Sequence, residues 1–288
     1  MSLVRVFPRK TAFTPRDDRA FVGDPPLFDI PECSEIHVSC TFTWDLDECY
    51  RLVEAWKSIC PNVKIGGPAL GNVTNDFEPG RYIMRGVTFT SRGCNCNCPW
   101  CLVPEREGKL RPILPIREGY IINDNNFLQN DENHRRKVYQ MLNTQSRGVR
   151  FLGGIQASLV TDRIAEEFRG LDIHDIFLAA DTVGALKPLK RAIQRLSFLK
   201  RNKLRCYVLV AFNGETLQQA EARLEQVWEL GAMPFAQLYQ PPNEYISYSK
   251  EWRDLTRTWS RPASMVSMHT PRKLDCKANM GQSLLWLE

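Results

Sequence analysis

Three observations predict an α/β fold built on parallel strands. Between residues 86 and 239, six short apolar runs alternate with polar segments of helical period. Residues 34–70 read as a strand, a helix and a second strand. The chain has 288 residues, 43% of them hydrophobic, which suits one large α/β domain or two modest ones. It has no apolar run of the roughly 18 residues that a membrane-spanning helix needs.

In chain order, residues 3–7 (LVRVF) can form a strand and 34–42 (SEIHVSCTF) a better one. Residues 45–59 put Leu46, Cys49, Leu52, Val53 and Trp56 on one helical face, with Asp45 placed to cap it. Residues 62–70 are a strand ending in a glycine turn. The Pro- and Asp-rich stretch 8–32 is expected to be irregular, and a boundary is expected near residue 80. The six later strands are 86–91, 119–126, 148–154, 175–181, 204–212 and 233–239. Helices are expected over 131–145, 161–170, 186–201 and 216–231, the last capped by Thr216 and closed at Gly231. Strands regularly followed by helices imply parallel pairing with right-handed crossovers, in either an open barrel or a doubly wound sheet. Both architectures place functional groups at the C-terminal ends of strands. A further helix over 249–261 shares Trp252, Leu255 and Trp259 on one face, and beyond Pro262 the sequence shows no periodicity.

The start of the chain lacks the apolar segment and cleavage site of a secretory signal, so a cytoplasmic protein is expected. There are ten cysteines, and in such a compartment clustered ones point to metal or redox chemistry rather than disulfides. A net charge of +5, spread along the chain, allows a nucleic acid as partner without arguing for one. The four histidines read as surface or satisfied residues, with His134 and His174 at polar or boundary positions.

Four cysteines crowd the stretch 91–101, SRGCNCNCPWC, at the end of the first of the six strands. Cys94, Cys98 and Cys101 have the spacing C-x3-C-x2-C, and thiolates so placed on one loop can bind three irons of a cuboidal cluster. The fourth iron is then open to a chelate such as the amino and carboxylate groups of S-adenosylmethionine. Cys96 leaves the register open, since it could replace a ligand or close the fourth iron. Its two-residue spacing from both Cys94 and Cys98 is awkward for a corner of the cube. Structural zinc is the alternative, but zinc sites usually draw two ligand pairs from separate loops and no second pair is present.

This loop resembles that of the radical S-adenosylmethionine superfamily. The longer pattern SRGC…C.WC.VP..EG is close to bacterial and phage-type members and to relatives of the methylthiotransferase and cobalamin-dependent branches. The likeness covers roughly residues 86–240. It implies a partial (β/α)6 barrel of parallel strands over 81–245, preceded by a small Rossmann-like β-α-β region over 1–80 and followed by a C-terminal helix and tail over 246–288. It also implies a 4Fe-4S cluster on Cys94, Cys98 and Cys101, S-adenosylmethionine as co-substrate, and Trp100 as the aromatic shielding the cluster near the adenine. An electron donor such as a flavodoxin or ferredoxin follows, with a nucleic acid, protein or small molecule as substrate and no membrane partner.

At the other strand ends, Asp124, Asn125 and Asn126 offer acceptors to an ammonium group, where the superfamily commonly carries a Gly-Gly-Glu-type motif; a turn is the alternative. Gly153 and Gly154 permit close backbone approach to a ligand, and Gln156 or Ser158 can hydrogen-bond it. Asp181 either points into the site or caps the next segment. YVLVAFNGET (207–216) resembles the adenine-packing strand of the superfamily, with Val210 and Phe212 as apolar contacts and Glu215 equally a helix-start acid. Tyr239 is placed to line the pocket or the core.

The N-terminal IGGPALG segment (65–71) resembles a fragment of a cobalamin-binding domain, but about 85 residues are few for that fold and no D-x-H-x-x-G sequence is present. Cobalamin is therefore not expected. A methylthiotransferase would need a second cluster, for which only Cys33, Cys40, Cys49 and Cys60 are available. A different class also fits: a non-catalytic binding protein, nucleic-acid-associated for example, stapled by iron-sulfur or zinc with four protein ligands.

Overall fold

The computed structural model describes residues 2–71, 77–242 and 244–270. The expectation for the tail beyond residue 270, and Cys276 with it, lies outside them. The fold is α/β, with two parallel sheets and one short antiparallel ribbon.

The first sheet contains β1 (Leu3–Phe7), β2 (Ala20–Val22), β3 (Glu35–Ser39) and, after α1 (Leu46–Trp56), β4 (Val63–Gly66). Its four strands are all parallel, in the order β2-β1-β3-β4. Strand β2 lies in the stretch expected to be irregular. It has only three residues, too short for its periodicity to show, and it exists because Arg5 and Phe7 of β1 offer it a ladder. Alternation sends Val4, Val6, Ile36 and Val38 towards α1, whose Cys49, Leu52 and Trp56 complete a core, as the helical spacing predicts. On the opposite face Arg5 is buried and donates to the carbonyls of Gly80 (3.0 Å) and Arg81 (2.7 Å). Asp45 does not cap α1. A short 3-10 turn, Thr43–Asp45, runs straight into the helix, and the Asp45 carboxylate turns inward to pair with Arg9.

The second sheet takes β5 (Val87–Thr88). The antiparallel ribbon follows, with β6 (Ser91–Arg92) and β7 (Arg111–Pro112) flanking α2 (Val103–Arg106). Then come β8 (Ile121–Ile122), α3 (Glu132–Asn143), β9 (Val149–Ile155), α4 (Asp162–Arg169), β10 (Ile173–Ala179), α5 (Leu186–Arg195), β11 (Leu204–Val210), α6 (Leu217–Glu229) and β12 (Met233–Leu238). Six of these strands form a parallel sheet in the order β5-β8-β9-β10-β11-β12, each beside its neighbour in sequence. The order never reverses, unlike a doubly wound sheet, and the described strands close no barrel.

The expected strands 86–91 and 119–126 shrink to two residues each in this sheet, because the ladder is interrupted by a side chain. Beyond Thr88 the Thr90 amide donates to the Asp124 carboxylate (2.6 Å) instead of to a strand. Helix ends follow their caps. Asp131, Thr161 and Thr216 accept from the third residue of their helices, and Thr216 with Gln219 forms a capping box.

Ile122, Phe151, Phe168, Ile176 and Val208 belong to one large core between sheet and helices. His134, expected at a polar position, is buried in α3. Helix α7 (Lys250–Ser260) buries Trp259 and packs Trp252 and Leu255 on the same core. Helix α8 (Pro262–His269), where no periodicity is visible, is held from outside itself: His269 stacks on Trp228 (4.2 Å) and Met265 is buried. No helix among the described residues is long and apolar enough to cross a membrane.

Candidate functional site at the cysteine loop

The cysteines sit on a loop whose base is closed by the β6–β7 ribbon. Gly93 is required there: at φ +80° a Cβ would lie 2.2 Å from the Lys109 carbonyl oxygen. Cys94 N donates to Gly108 O (3.1 Å), and Leu110 N to the Asn95 side chain (3.1 Å). Glu107 ties the loop to its neighbours, accepting from Gly93 N (3.1 Å) and Asn125 Nδ2 (2.7 Å) and pairing with Arg92 at 3.5 Å. Glu107 belongs to the EG pair closing the quoted pattern, and its part in holding the loop comes from partners that no local spacing reveals.

Asp124 does not offer itself to a ligand. It is 1% exposed, and its oxygens accept from Thr90 N and Oγ1 (both 2.6 Å) and Ser91 Oγ (2.7 Å). Burial pushes its carboxyl above the usual carboxylate range, against the pull of those donors. Its role is to hold the start of the cysteine loop against the end of β8. Gly153 is likewise structural, since a Cβ would meet the Asp124 carbonyl oxygen at 1.9 Å; the close approach it permits is by backbone, not ligand. Gly154 differs, with φ +106° and open space where a side chain would be. Val210 is wholly buried in the main core and presents no surface to an adenine.

Amides surround Cys96. Gln129 Nε2 donates to its sulfur (3.2 Å), and the thiol lies 3.4 Å from Gln156 Oε1. Gln156 Oε1 also receives Asn126 Nδ2 (2.9 Å), and that nitrogen is 3.9 Å from both Cys94 Sγ and Cys96 Sγ. Gln129 was not singled out by sequence, and only the fold brings it here.

Cys98 and Cys101 lie within the field of Asp181, which follows β10. Burial, then the neighbouring thiols Cys96 and Cys101 and the charge of Asp181, push Cys98 up to about 11. Asp181 does not cap the next segment, whose 3-10 turn and helix α5 carry no side-chain cap; it accepts from Leu209 N (2.9 Å) on β11, and its charge is felt at Cys98 and Cys101. Burial raises its own carboxyl as well. Trp100 meets Phe212 edge-on at 5.4 Å, and Phe212 meets Tyr239 at 4.9 Å, making one aromatic row from the cysteine loop to the ends of β11 and β12. Phe212 is aimed by strain, for Ala211 and Asn213 on either side are left-handed at φ 63° and 53°. Glu215 accepts from Ala211 N (3.0 Å) and pairs with buried Arg223 (2.6 Å), fastening this turn rather than simply starting a helix.

Which group could these residues hold? Cys94, Cys98 and Cys101 are free thiols, a soft donor set suited to iron-sulfur chemistry. Cys94 lies close enough to raise the cost of ionising Cys98 and Cys101, which a bound cationic centre would relieve. Asn126 Oδ1 is buried beside them with no partner among the described residues. The donor set therefore fits, while among the described residues no three His, Cys, Asp or Glu side chains are gathered as ligands of a single ion. The other described cysteines lie apart from it: Cys40 contacts Cys49 inside the first core, and Cys33 contacts Cys60.

Comparison with protein-family models and with curated proteins finds no match for this chain.

Proposed function

We propose that the protein is a radical S-adenosylmethionine enzyme, with its six-stranded sheet serving as a partial barrel. The observation that carries this reading is a loop bearing Cys94, Cys98 and Cys101 at the C-terminal end of the first of six sequentially ordered parallel strands, facing the Trp100–Phe212–Tyr239 row. In this reading the three thiolates would hold a 4Fe-4S cluster. Once reduced by a flavodoxin- or ferredoxin-type donor, such a cluster supplies the reductive cleavage of S-adenosylmethionine to methionine and a 5′-deoxyadenosyl radical.

The chain's own residues bind, orient and exclude water. Trp100 covers the loop, and Phe212 and Tyr239 give the co-substrate an apolar wall that keeps solvent from a reactive species. Asn126 and Gln156 present amide groups beside the thiols, and Gly154 leaves room for a ligand to approach the backbone of β9. Asn125 acts through Glu107 to position the loop. Cys96, engaged by Gln129 and Gln156, is left out of the ligand set, which keeps one coordination position open. A reducing, cytoplasmic setting belongs to the same reading, since open thiolates and clusters do not survive oxidation.

Anaerobic reconstitution with iron and sulfide, followed by EPR of the reduced protein with and without S-adenosylmethionine, tests it. A cubane signal that shifts on addition, slow formation of 5′-deoxyadenosine, and loss of both in Cys98→Ala are expected. A cluster indifferent to S-adenosylmethionine, or zinc retained in place of iron, would sink the proposal and leave a metal-stapled binding protein.

A further inference from the structure

The cysteine loop leaves a large cavity unexplained. Its volume is about 730 Å³, within the roughly 300–1,000 Å³ usual for small-molecule sites. It opens on the sheet face that α1 does not cover and runs to the C-terminal ends of β1 and β3. In the order β2-β1-β3-β4 the chain leaves β1 towards one edge and β3 towards the other, so their connections diverge and a crevice forms at that point. Arg9 lies after β1 and Thr41 after β3 on this crevice, and Phe89, Arg92 and Asn123 face it from the six-stranded unit.

The lining has the chemistry of a specific ligand class. Rings surround the space: Phe13, Phe77 and Phe89, with Tyr82 stacked on His37 at 5.9 Å and 14°. Arg9, Lys64, Arg81 and Arg92 bring four cations, each beside a carboxylate: Asp45, Glu35, Glu78 and Glu107 in turn; Lys64 and Arg81 are exposed and can turn to a ligand. Asp45 Oδ2, whose side chain is 3% exposed, and Arg92 Nε are buried with no hydrogen-bond partner among the described residues, and His37 Nε2 has only the Glu35 carboxylate at 3.1 Å. A ligand that completes the site therefore offers a flat ring, a hydroxyl or amino hydrogen for Asp45, and negative charge.

We propose that this cavity binds a nucleoside phosphate. The ring lies among the aromatic walls, a sugar hydroxyl or ring amino group donates to Asp45 Oδ2, and the phosphate meets the cationic rim of Lys64 and Arg81. Thr41 and Phe42 line both this cavity and a separate, smaller one of about 320 Å³ that reaches Leu102 and Arg106, just after the cysteine loop. Taking the bound nucleotide as the substrate rests on the function proposed above; its binding does not.

Isothermal titration of the full chain, without reconstituted cluster, uses the four common nucleoside 5′-monophosphates, the matching nucleosides and inorganic phosphate. One monophosphate is expected to bind at a single site, more tightly than its nucleoside or phosphate alone. Lys64→Ala and Tyr82→Ala, both at exposed rim positions, should each weaken it about tenfold. Cys98→Ala should leave it unchanged, and S-adenosylmethionine should not displace it. No binding, affinity indifferent to both rim substitutions, displacement by S-adenosylmethionine, or binding of single-stranded oligonucleotides alone would each overturn the proposal. The EPR experiment needs no nucleotide, so the two readings fail separately.

Discussion

The two parallel sheets of this protein obey the same local rules and place their sites differently. In the four-stranded sheet the order reverses between β1 and β3, and the resulting crevice is a space between loops. In the six-stranded sheet the order runs one way, no switch point arises, and the candidate groups stand on loops and turns above the strand ends. Their supports differ too. The small sheet rests on a compact core centred on Trp56, whose Nε1 donates to Gly23 O (3.0 Å). The larger one rests on an extended core and adds polar fastenings such as Asp124 and Arg223 where its site is built. The contrast is one of topology: a switch point opens a cavity between diverging connections, whereas a one-way sheet carries its candidate groups on loops fastened above the strand ends.

Trp56→Ala tests that contrast most severely. Removing a wholly buried Trp should cost about 3–5 kcal/mol, and native-state hydrogen exchange should show the amides of Val4, Ile36 and Val38 losing protection while those of Phe151 and Val208 keep theirs. Equal loss in both sheets would show one cooperative unit and break the comparison. Asp124→Ala should cost less, about 2 kcal/mol, because the Thr90 amide and the hydroxyls of Thr90 and Ser91 lose their buried acceptor. Limited proteolysis should then cut more readily between residues 93 and 110, leaving the four-stranded sheet untouched.

The smallest effect is the pH response of His134. Burial lowers its pKa from the ordinary 6.5, against the charges of Asp124 and Asp131 and with that of Lys137. The fold thus favours the neutral ring. Its stability is full above that ordinary value and is lost as pH falls through the lowered folded-state value. Urea denaturation across that range should show the six-stranded unit weakening in acid, and His134→Gln should flatten the response.

Much of the local structure was legible in the sequence. Thr216 and Gly231 bracket α6, and the spacing of Leu46, Cys49, Leu52 and Trp56 defines the buried face of α1, because caps and periodicity act within a few residues. Phe212 and Tyr239 stand near the cysteine loop through Trp100, as the alternation of strands and helices led one to expect. The failures share a cause. Asp124 looked like a free acid at a strand end, yet its partners lie 33 and 34 positions away. Glu107, Gln129 and strand β2 gained their roles from neighbours that no short window contains. Val210 matched an apolar contact by position, but the sheet turned it into the core.

By itself, then, the sequence determined the alternation of strands and helices, their parallel pairing, and the crowding of four cysteines onto one loop, since these depend on short-range periodicity and covalent spacing. Only the tertiary structure decided strand order, and with it the crevice between β1 and β3. It also decided which polar groups near the cysteines are consumed by the fold and which stay free. A side chain's availability depends on the donors and acceptors that folding brings within about 3 Å of it. Those partners come from anywhere along the chain.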